Sequence, residues 1–315
     1  MSNSLISVRV QAMRFEAKGI VSVELVTMDD ATLPPFEPGS HIDLHLSNGI
    51  VRSYSLLNAP TERHRYVVGV LNDRNSRGGS RYVHEQLRVG VSLTISLPRN
   101  NFPLSESATH SVLIAGGIGI TPISCMLNHL RELGKSAELL YCARSRNEAA
   151  FSKTLLQQDG ISGHFDDEKG APPDLRAYLA SKPHDAHFYC CGPTPMLNAF
   201  EAICAELNLP NVHIERFAAE KVDAVQTGEY VAELLRSKKT ISVPAGKSLL
   251  DALLDAGVEV EHSCREGVCG SCETKVLEGE PEHRDGVLSK SERASNKMMM
   301  VCVSGCKGKR LVLDL

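Results

Sequence analysis

Residues 262–274, HSCREGVCGSCET, and residues 298–304, MMMVCVS, carry the four cysteines Cys264, Cys269, Cys272 and Cys302, and their spacing decides how the rest of the chain is read. C-x4-C-x2-C with a fourth cysteine about thirty residues on is the pattern of plant-type [2Fe–2S] ligation. A loop wrapping such a cluster needs small residues between its ligands so that backbone N–H groups can aim at the sulfurs. Gly267, Gly270 and Ser271 meet that need. Two plainer readings stand beside it: a zinc knuckle, whose thiolates usually come as two short C-x2-4-C pairs, and a chance grouping in a cysteine-rich chain. Cys306 is the competing fourth ligand; Cys302 is preferred because it directly follows the apolar run MMMV.

The surrounding composition agrees with a cofactor protein of several domains. A chain of 315 residues, 42% hydrophobic and 23% charged, suits two or three compact domains. No stretch approaches the ~20 apolar residues of a membrane span, and the polar start MSNSLISVRVQ does not read as a signal peptide. Ten cysteines in such a chain point to thiols and metal ligands in a reducing compartment, the cytoplasm. A net charge of −4 with scattered basic residues leaves no nucleic-acid footprint. Neither a nucleic acid nor a membrane is expected as a partner, and a monomer is the default expectation.

Three blocks follow from the patterning. Up to about Pro103, the alternating runs ISVRVQAMRF, IVSVELVTM, HIDLHL, YVVGVL and VSLTISLP are broken by Gly, Pro and Asn turns, which predicts a small antiparallel barrel. From about His110, apolar strands (SVLIAG, AELLYCA, HFYCCG) alternate with helical stretches (ISCMLNHLREL, PTPMLNAFEAICAEL), the rhythm of an α/β domain with a parallel sheet. AAEKVDAVQTG, residues 218–228, reads as a linker. From about Glu229 to Leu315 come a hairpin-like YVAELLRSKKTISV, a helix SLLDALLDAG, the cysteine loop and a final strand RLVLDL.

Four further motifs invite a cofactor. AGGIGITP, residues 115–122, lies between a strand and a helix, where glycines let a backbone approach a pyrophosphate; such turns also serve packing, and this one does not match G-x-G-x-x-G. Cys190-Cys191-Gly192-Pro193, with Met196, ends a later strand, where open parallel sheets place their ligands. Arg52-Ser53-Tyr54-Ser55-Leu56 could face a planar ring, and Ser76-Arg77-Gly78-Gly79-Ser80 could hold a phosphate. Each alone reads equally as a solvated arginine, a packed tyrosine or an ordinary glycine turn.

In combination and in order, RSYSL, the GGS turn, AGGIGITP, CCGP and the terminal cysteine block resemble the phthalate dioxygenase reductase family over the whole chain, and vanillate O-demethylase reductases are similar too. The resemblance implies an FMN-binding antiparallel β-barrel domain over 1–105, an NAD-binding α/β parallel-sheet domain over 106–222 and a C-terminal α+β ferredoxin (β-grasp) domain over 223–315. It implies that Arg52, Ser53, Tyr54 and Ser55 line the flavin ring, that Arg77, Gly78, Gly79 and Ser80 take its phosphate, and that Val70 and Leu71 add backbone contacts. Gly116, Gly117, Gly119, Ile120, Thr121 and Pro122 are implied as the nicotinamide-side loop, flanked by Cys191, Gly192, Pro193 and Met196. Phe217 resembles the family's aromatic near the flavin. Ser55, Thr121 and Cys191 stand as the catalytic candidates. FMN is favoured over FAD by the GGS turn, and Cys302 matches the family's MVCVS position, whereas Cys306 falls where the family often has a small residue. The implied activity is an NADH-dependent reductase that moves a hydride onto FMN and single electrons through the cluster to the Rieske centre of a separate aromatic oxygenase or O-demethylase. Another acceptor, such as a cytochrome P450 or a carnitine-type monooxygenase, and a redox-sensing iron–sulfur protein are the alternatives.

Other features read more plainly. His41, Asp43 and His45 alternate on one strand and read as a solvated barrel face; Cys125, Cys142 and Cys204 read as small core residues; HFDDEKG reads as an exposed acidic loop. Arg144 and Arg146, after ELLYCA, are placed to meet a 2′-phosphate, so the preference for NADH rests on the resemblance. No C-x-H occurs anywhere, so the sequence carries no Rieske motif, and no mononuclear-iron triad is recognisable. Oxygen activation therefore falls to a partner.

Overall fold

Period-two alternation gives a strand one face to bury. In the computed structural model, which describes residues 5–74, 76–217 and 228–315, the first such runs pair into one antiparallel sheet. Its strands are β1 (Ile6–Ala17), β2 (Ile20–Thr27), β3 (Ser40–His45), β4 (Val51–Ser55), β5 (Tyr66–Leu71), β6 (Ser92–Ile95) and the short β7 (Arg99–Asn100), with helix α1 (Gly79–Glu85) between β5 and β6. The order is β4-β3-β6-β1-β2-β5, with β7 on β3. A bridge from Leu56, just past β4, to Val68 of β5 turns the sheet back on itself as the expected barrel. Val10, Val23, Leu25, Ile42, Leu44, Leu56, Val68 and Ile95 fill it.

Apolar runs buried on both faces mark the second sheet, as parallel strands require. Strands β8 (Ser111–Gly116), β9 (Ala137–Ala143), β10 (Ile161–Phe165), β11 (His187–Cys191) and β12 (Asn211–Glu215) run parallel in the order β10-β9-β8-β11-β12. Helices α2 (Ile120–Glu132), α3 (Ser152–Leu155), α4 (Asp166–Lys169), α5 (Leu175–Ala180) and α6 (Thr194–Glu206) connect them. Ile123, Met126 and Leu127 of α2 pack with Leu113, Tyr141 and Tyr189. Leu179, Leu197 and Phe200 of α5 and α6 pack with Val112, Ile114 and Phe188, the alternate residues of the same strands. The chain grows from β8 towards β10 and then returns to β11 on β8's other side, so the topological switch point lies between β8 and β11.

The chain forms two compact units, Met1–Glu215 and Arg216–Leu315. Within the first, barrel and parallel sheet share a core: Ala17, Ile20 and Phe102 join Leu113, Ile120 and Tyr189. The Cys125 thiol donates to the Asn58 carbonyl at 3.3 Å. At Gly69 of β5, a Cβ would lie 2.6 Å from the Thr121 methyl. In the second unit, β13 (Tyr230–Leu234), β14 (Lys239–Val243), β15 (Glu273–Glu278), β17 (Met298–Met300) and β19 (Arg310–Leu313) form a mixed sheet, with β13 parallel to β19. Strand β16 (Pro281–Glu282) pairs with β18 (Gly305–Cys306). Helix α7 (Leu249–Asp255), capped by Ser248, buries Leu249, Leu250 and Leu253 against Ala232, Val243 and Leu311 in a β-grasp arrangement, and α8 (Lys290–Ser295) carries a capping box from Ser289 to Glu292.

Two expectations are corrected. His41 and Asp43 are buried rather than solvated, because Ser53 and Arg99 on flanking strands close over the carboxylate: Ser53 Oγ donates to Asp43 Oδ1 at 2.5 Å and Arg99 Nη2 to Oδ2 at 2.6 Å. His45 is half-buried. HFDDEKG is not a loop, since its Asp166–Lys169 portion forms α4. Cys125, Cys142 and Cys204 are buried, as read. The expected boundary at 105/106 lies inside the first unit, while that at 222/223 and all but Gly228 of the linker expected over 218–228 lie outside the described residues. Among the described residues no helix is long and apolar enough to cross a membrane.

The seam at Gly69 is testable. Gly69→Ala is expected to cost ~1–3 kcal/mol by overpacking. Adding Thr121→Ser, which removes the opposing methyl, is expected to recover most of that loss in urea denaturation. Purely additive losses in the double variant would show that the two residues do not press on each other.

Candidate active site and cluster loop

Parallel pairing of β8 with β11 sets Ala115 opposite Cys191, so the loops leaving both strands emerge side by side. They touch through backbone. A Cβ on Gly119 would sit 2.1 Å from the Cys191 carbonyl oxygen, and one on Gly116 would sit 2.6 Å from both Pro193 Cδ and Met196 Sδ. A Cβ on Gly192 would in turn meet Gly116 Cα at 3.0 Å. Close packing is thus the first duty of these three glycines. Gly117 differs: its φ is +55° and nothing lies within 4 Å of a Cβ there, so it faces open space, while Tyr141 Oη donates to its carbonyl at 3.4 Å. Ile120, Thr121 and Pro122 are buried in the first turn of α2, where the Thr121 hydroxyl donates to the Ile118 carbonyl at 3.0 Å. What Thr121 offers a neighbour is therefore its methyl and backbone.

On β4 the pleat puts Arg52 and Tyr54 on one face and Ser53 and Ser55 on the other. The Arg52 stem lies over Gly79, where a Cβ would meet Arg52 Cγ at 2.6 Å. Gly78, at φ +100°, turns the chain into α1, and its N–H donates to Ser76 Oγ at 3.1 Å. Ser80 Oγ accepts from the Asp73 N–H at 3.2 Å. Arg52 and the 76–80 turn are thus brought together, with Arg77 exposed. His84 Nε2 lies 3.0 Å from the Val70 carbonyl, tying α1 to β5, whose last residue, Leu71, is exposed. Burial pushes the Tyr54 phenol up to about 12. The Ser53 hydroxyl is committed to Asp43, leaving its backbone for any ring.

Ser55 points elsewhere, to a residue that the sequence reading passed over. Its hydroxyl donates to Glu215 Oε2 at 3.3 Å, and the Cys191 thiol lies 3.9 Å from the same oxygen. Glu215 ends β12 and is half-buried, with its carboxyl turned towards Ser55 and Cys191. Burial pushes it up to about 8, against hydrogen bonds from Ser55 and Cys191 that pull it down. The Cys191 thiol is raised well above its ordinary value by burial and then by Glu215. Deeper along the same face, His213 stacks on Tyr189 at 4.4 Å, and its Nε2 lies 3.1 Å from His187 Nδ1. Burial and the His187 neighbour lower His213 to about 4. An acidic residue closing the last parallel strand was the available signal for Glu215. Arg146 is held by Glu168 at 2.5 Å.

In the second unit Cys264, Cys269, Cys272 and Cys302 are all buried, at 4%, 2%, 2% and 8% exposure. Thiol contacts join Cys264 to Cys269 and Cys302, and Cys302 to Cys272. Arg265, Gly267 and Gly270 take positive φ values of 54°, 69° and 75°, which fold the loop around them. The Glu266 N–H donates to Cys264 Sγ at 3.3 Å, and Ser271 Oγ lies 3.3 Å from Cys269 Sγ. Cys306 is directed away, towards the Arg310 carbonyl at 3.6 Å. Among the described residues no three His, Cys, Asp or Glu side chains are grouped as ligands of one ion. Four buried thiols with backbone N–H groups turned towards sulfur are the donor set that a two-iron cluster takes. Phe217 stands at the start of this unit, 38% exposed.

Residues 232–307 match the family described as 2Fe-2S iron-sulfur cluster binding domain. The chain is 49% identical over 311 residues to phenoxybenzoate dioxygenase subunit beta of Ectopseudomonas oleovorans, covering 98% of this chain and 97% of that one. It is 48% identical over 322 residues to tetrachlorobenzoquinone reductase of Sphingobium chlorophenolicum, covering 99% and 98%. The solved structure of phthalate dioxygenase reductase, described as modular for electron transfer from pyridine nucleotides to [2Fe-2S], superposes with a TM-score of 0.74 at 36% identity, covering 99% of this chain and 98% of that one. The chain belongs to the phthalate dioxygenase reductase family. This reductase is accordingly an oxidoreductase with flavin, NAD(H) and [2Fe–2S] cofactors, and its relatives serve oxygenase systems.

The buried acid gives a pH signature. A native value of about 8 against an ordinary 4.5 means that the folded state keeps a proton the unfolded chain has lost. Stability from this group is full below about 4.5 and falls as pH rises to about 8, by at most ~1.4 kcal/mol per pH unit. His213 acts in the opposite sense, costing stability as pH falls from 6.5 to about 4. Glu215→Gln is therefore expected to become increasingly more stable than wild type between pH 5 and pH 8, as read by denaturant midpoints across that range. A constant difference between the two proteins would remove the buried-acid assignment.

Proposed function

We propose that this reductase draws electron pairs from NADH at the switch-point crevice of its first unit, holds FMN there, and delivers single electrons through a [2Fe–2S] cluster on Cys264, Cys269, Cys272 and Cys302 to the Rieske centre of a separate aromatic oxygenase or O-demethylase. The observation that carries this reading is that one chain pairs a glycine-packed crevice at the ends of β8 and β11 with a four-thiol loop. When bound, a flavin supplies the exchange between two-electron and one-electron chemistry. Arg52 with the Arg77–Ser80 turn would hold the flavin phosphate, and the Tyr54 face of β4 would take its ring. The open side of Gly117, with Cys191, Gly192, Pro193 and Met196, receives the nicotinamide. Ser55, Thr121 and Cys191 position the reacting rings, and Glu215 holds a proton between Ser55 and Cys191. No triad is needed, because near-contact placement of two rings supplies most of what the transfer asks. With none of the ten cysteines in a disulfide, a reducing cytoplasm and a single copy of the chain complete the reading.

A second reading rests on the 48% identity to a benzoquinone reductase. In it the final acceptor is a quinone reduced at the flavin, and the cluster unit is not on the path.

Anaerobic NADH titration of the purified protein, followed by absorbance, EPR and chromatography of released flavin, tests the proposal. Expected are FMN, bleaching of both chromophores and a rhombic signal from one reduced centre. Cys302→Ser is expected to lose the cluster and the delivery of electrons to a Rieske oxygenase, and Cys306→Ser to keep both. The reverse pattern would transfer the fourth ligand to Cys306. Undiminished reduction of a quinone by Cys302→Ser, with no oxygenase reduction by wild type, would establish the second reading.

A further inference from the structure

The second unit buries one carboxylate whose contacts reach both parts of the chain that carry the cluster cysteines. The Asp285 side chain has no solvent exposure. Its Oδ2 accepts from the Val287 N–H at 3.1 Å and the Leu288 N–H at 2.8 Å, closing a tight turn. Its Oδ1 accepts from Ser304 Oγ at 3.5 Å, two residues beyond Cys302, and Ser304 Oγ accepts in turn from the Arg284 N–H at 3.3 Å. The turn bears directly on the cysteine loop: the Gly286 N–H donates to the Gly267 carbonyl at 2.8 Å. Gly267 has no room for anything larger, since a Cβ there would lie 2.5 Å from Val303 Cγ2 and 3.1 Å from Asp285 Cα. Two cationic or potentially cationic side chains face the carboxylate without closing on it. Arg293 Nη2 of α8 is 3.8 Å from Oδ2 and bonds the Asp285 carbonyl, and His283 Nδ1 is 3.8 Å from Oδ1. Both ring nitrogens of His283 are buried without a hydrogen-bond partner.

We propose that Asp285 is the positioning residue of the cluster loop and that its incompletely neutralised charge holds the cluster's potential down. This rests on the ligand assignment above. The carboxylate fixes the 285–288 turn, the turn fixes Gly267 between Cys264 and Cys269, and Ser304 ties the same carboxylate to the turn that carries Cys302. A cluster gaining an electron gains negative charge, so a fixed anion packed on its loop opposes reduction, and a nearby cation relieves that opposition. Charge and hydrogen bonding one layer out from the ligands are recognised means of tuning a metal site.

The test is a spectroelectrochemical titration of the full-length holoprotein, with iron and sulfide assayed on every sample. Asp285→Asn keeps an oxygen for the turn and removes the charge. It is expected to retain its iron and sulfide and to raise the midpoint potential by at least the equivalent of a tenfold shift in the reduced-to-oxidised ratio, about 59 mV for one electron. A loaded Asp285→Asn protein with an unchanged or lower potential overturns the proposal. If that variant does not hold a cluster, Arg293→Gln on the partly exposed helix α8 decides the matter. Loss of its cation is expected to lower the potential, and an unchanged or higher value overturns the proposal. Wild-type protein without iron and sulfide would instead overturn the ligand assignment.

Discussion

The contact on which the first unit depends is backbone against backbone. Gly116 and Gly119 meet Cys191 and Gly192 at distances that exclude any side chain on the three glycines. This closeness follows from the register of β8 and β11, which sets the strand ends level, and from the reversal of strand order between them. Two loops that would otherwise diverge are held together at the switch point, where open parallel sheets carry their ligand crevice. Gly117 is the counterpart: with open space on its free side, it leaves the approach to that crevice unobstructed. Close packing and open space thus divide one glycine run between them.

Three buried carboxylates show how differently the same group can be used. Asp43 is matched at 2.6 Å by Arg99 and serves the barrel wall. Among the described residues Glu215 has a hydroxyl and a thiol for partners, so burial prevails and the proton is retained near neutrality. Asp285 is held by backbone N–H groups with Arg293 at 3.8 Å, a geometry that satisfies hydrogen bonding without a close ion pair among the described residues. A close cation favours the charged form of the first, whereas burial without one favours the proton on Glu215, and Asp285 lies between these limits.

Local pattern made much of the fold legible. Alternation in ISVRVQAMRF and YVVGVL foretold barrel strands, and the apolar runs SVLIAG and HFYCC foretold parallel ones, because each strand's burial is written along its own length. The cysteine loop was legible for a similar reason, since its close ligands and its glycines are neighbours in sequence. The failures share a cause. His41 and Asp43 read as solvated because the residues that cover them, Ser53 and Arg99, lie on other strands. Glu215 went unnoticed because its importance arises only when Ser55, 160 residues earlier, meets it. A polar residue's fate depends on who its neighbours are, and no periodicity records that.

The same distinction bears on what a family likeness conveys. Relatives near 49% and 48% identity carry the names of a dioxygenase subunit and of a quinone reductase, so full-length similarity is compatible with different final acceptors. The glycine contacts between the loops after β8 and β11 leave little freedom, because an added side chain there meets neighbouring backbone or packed side chains. In the role proposed for it, Asp285 touches no ligand yet bears on the loop between two of them, so that one charge would both hold that loop and set the driving force of the cluster.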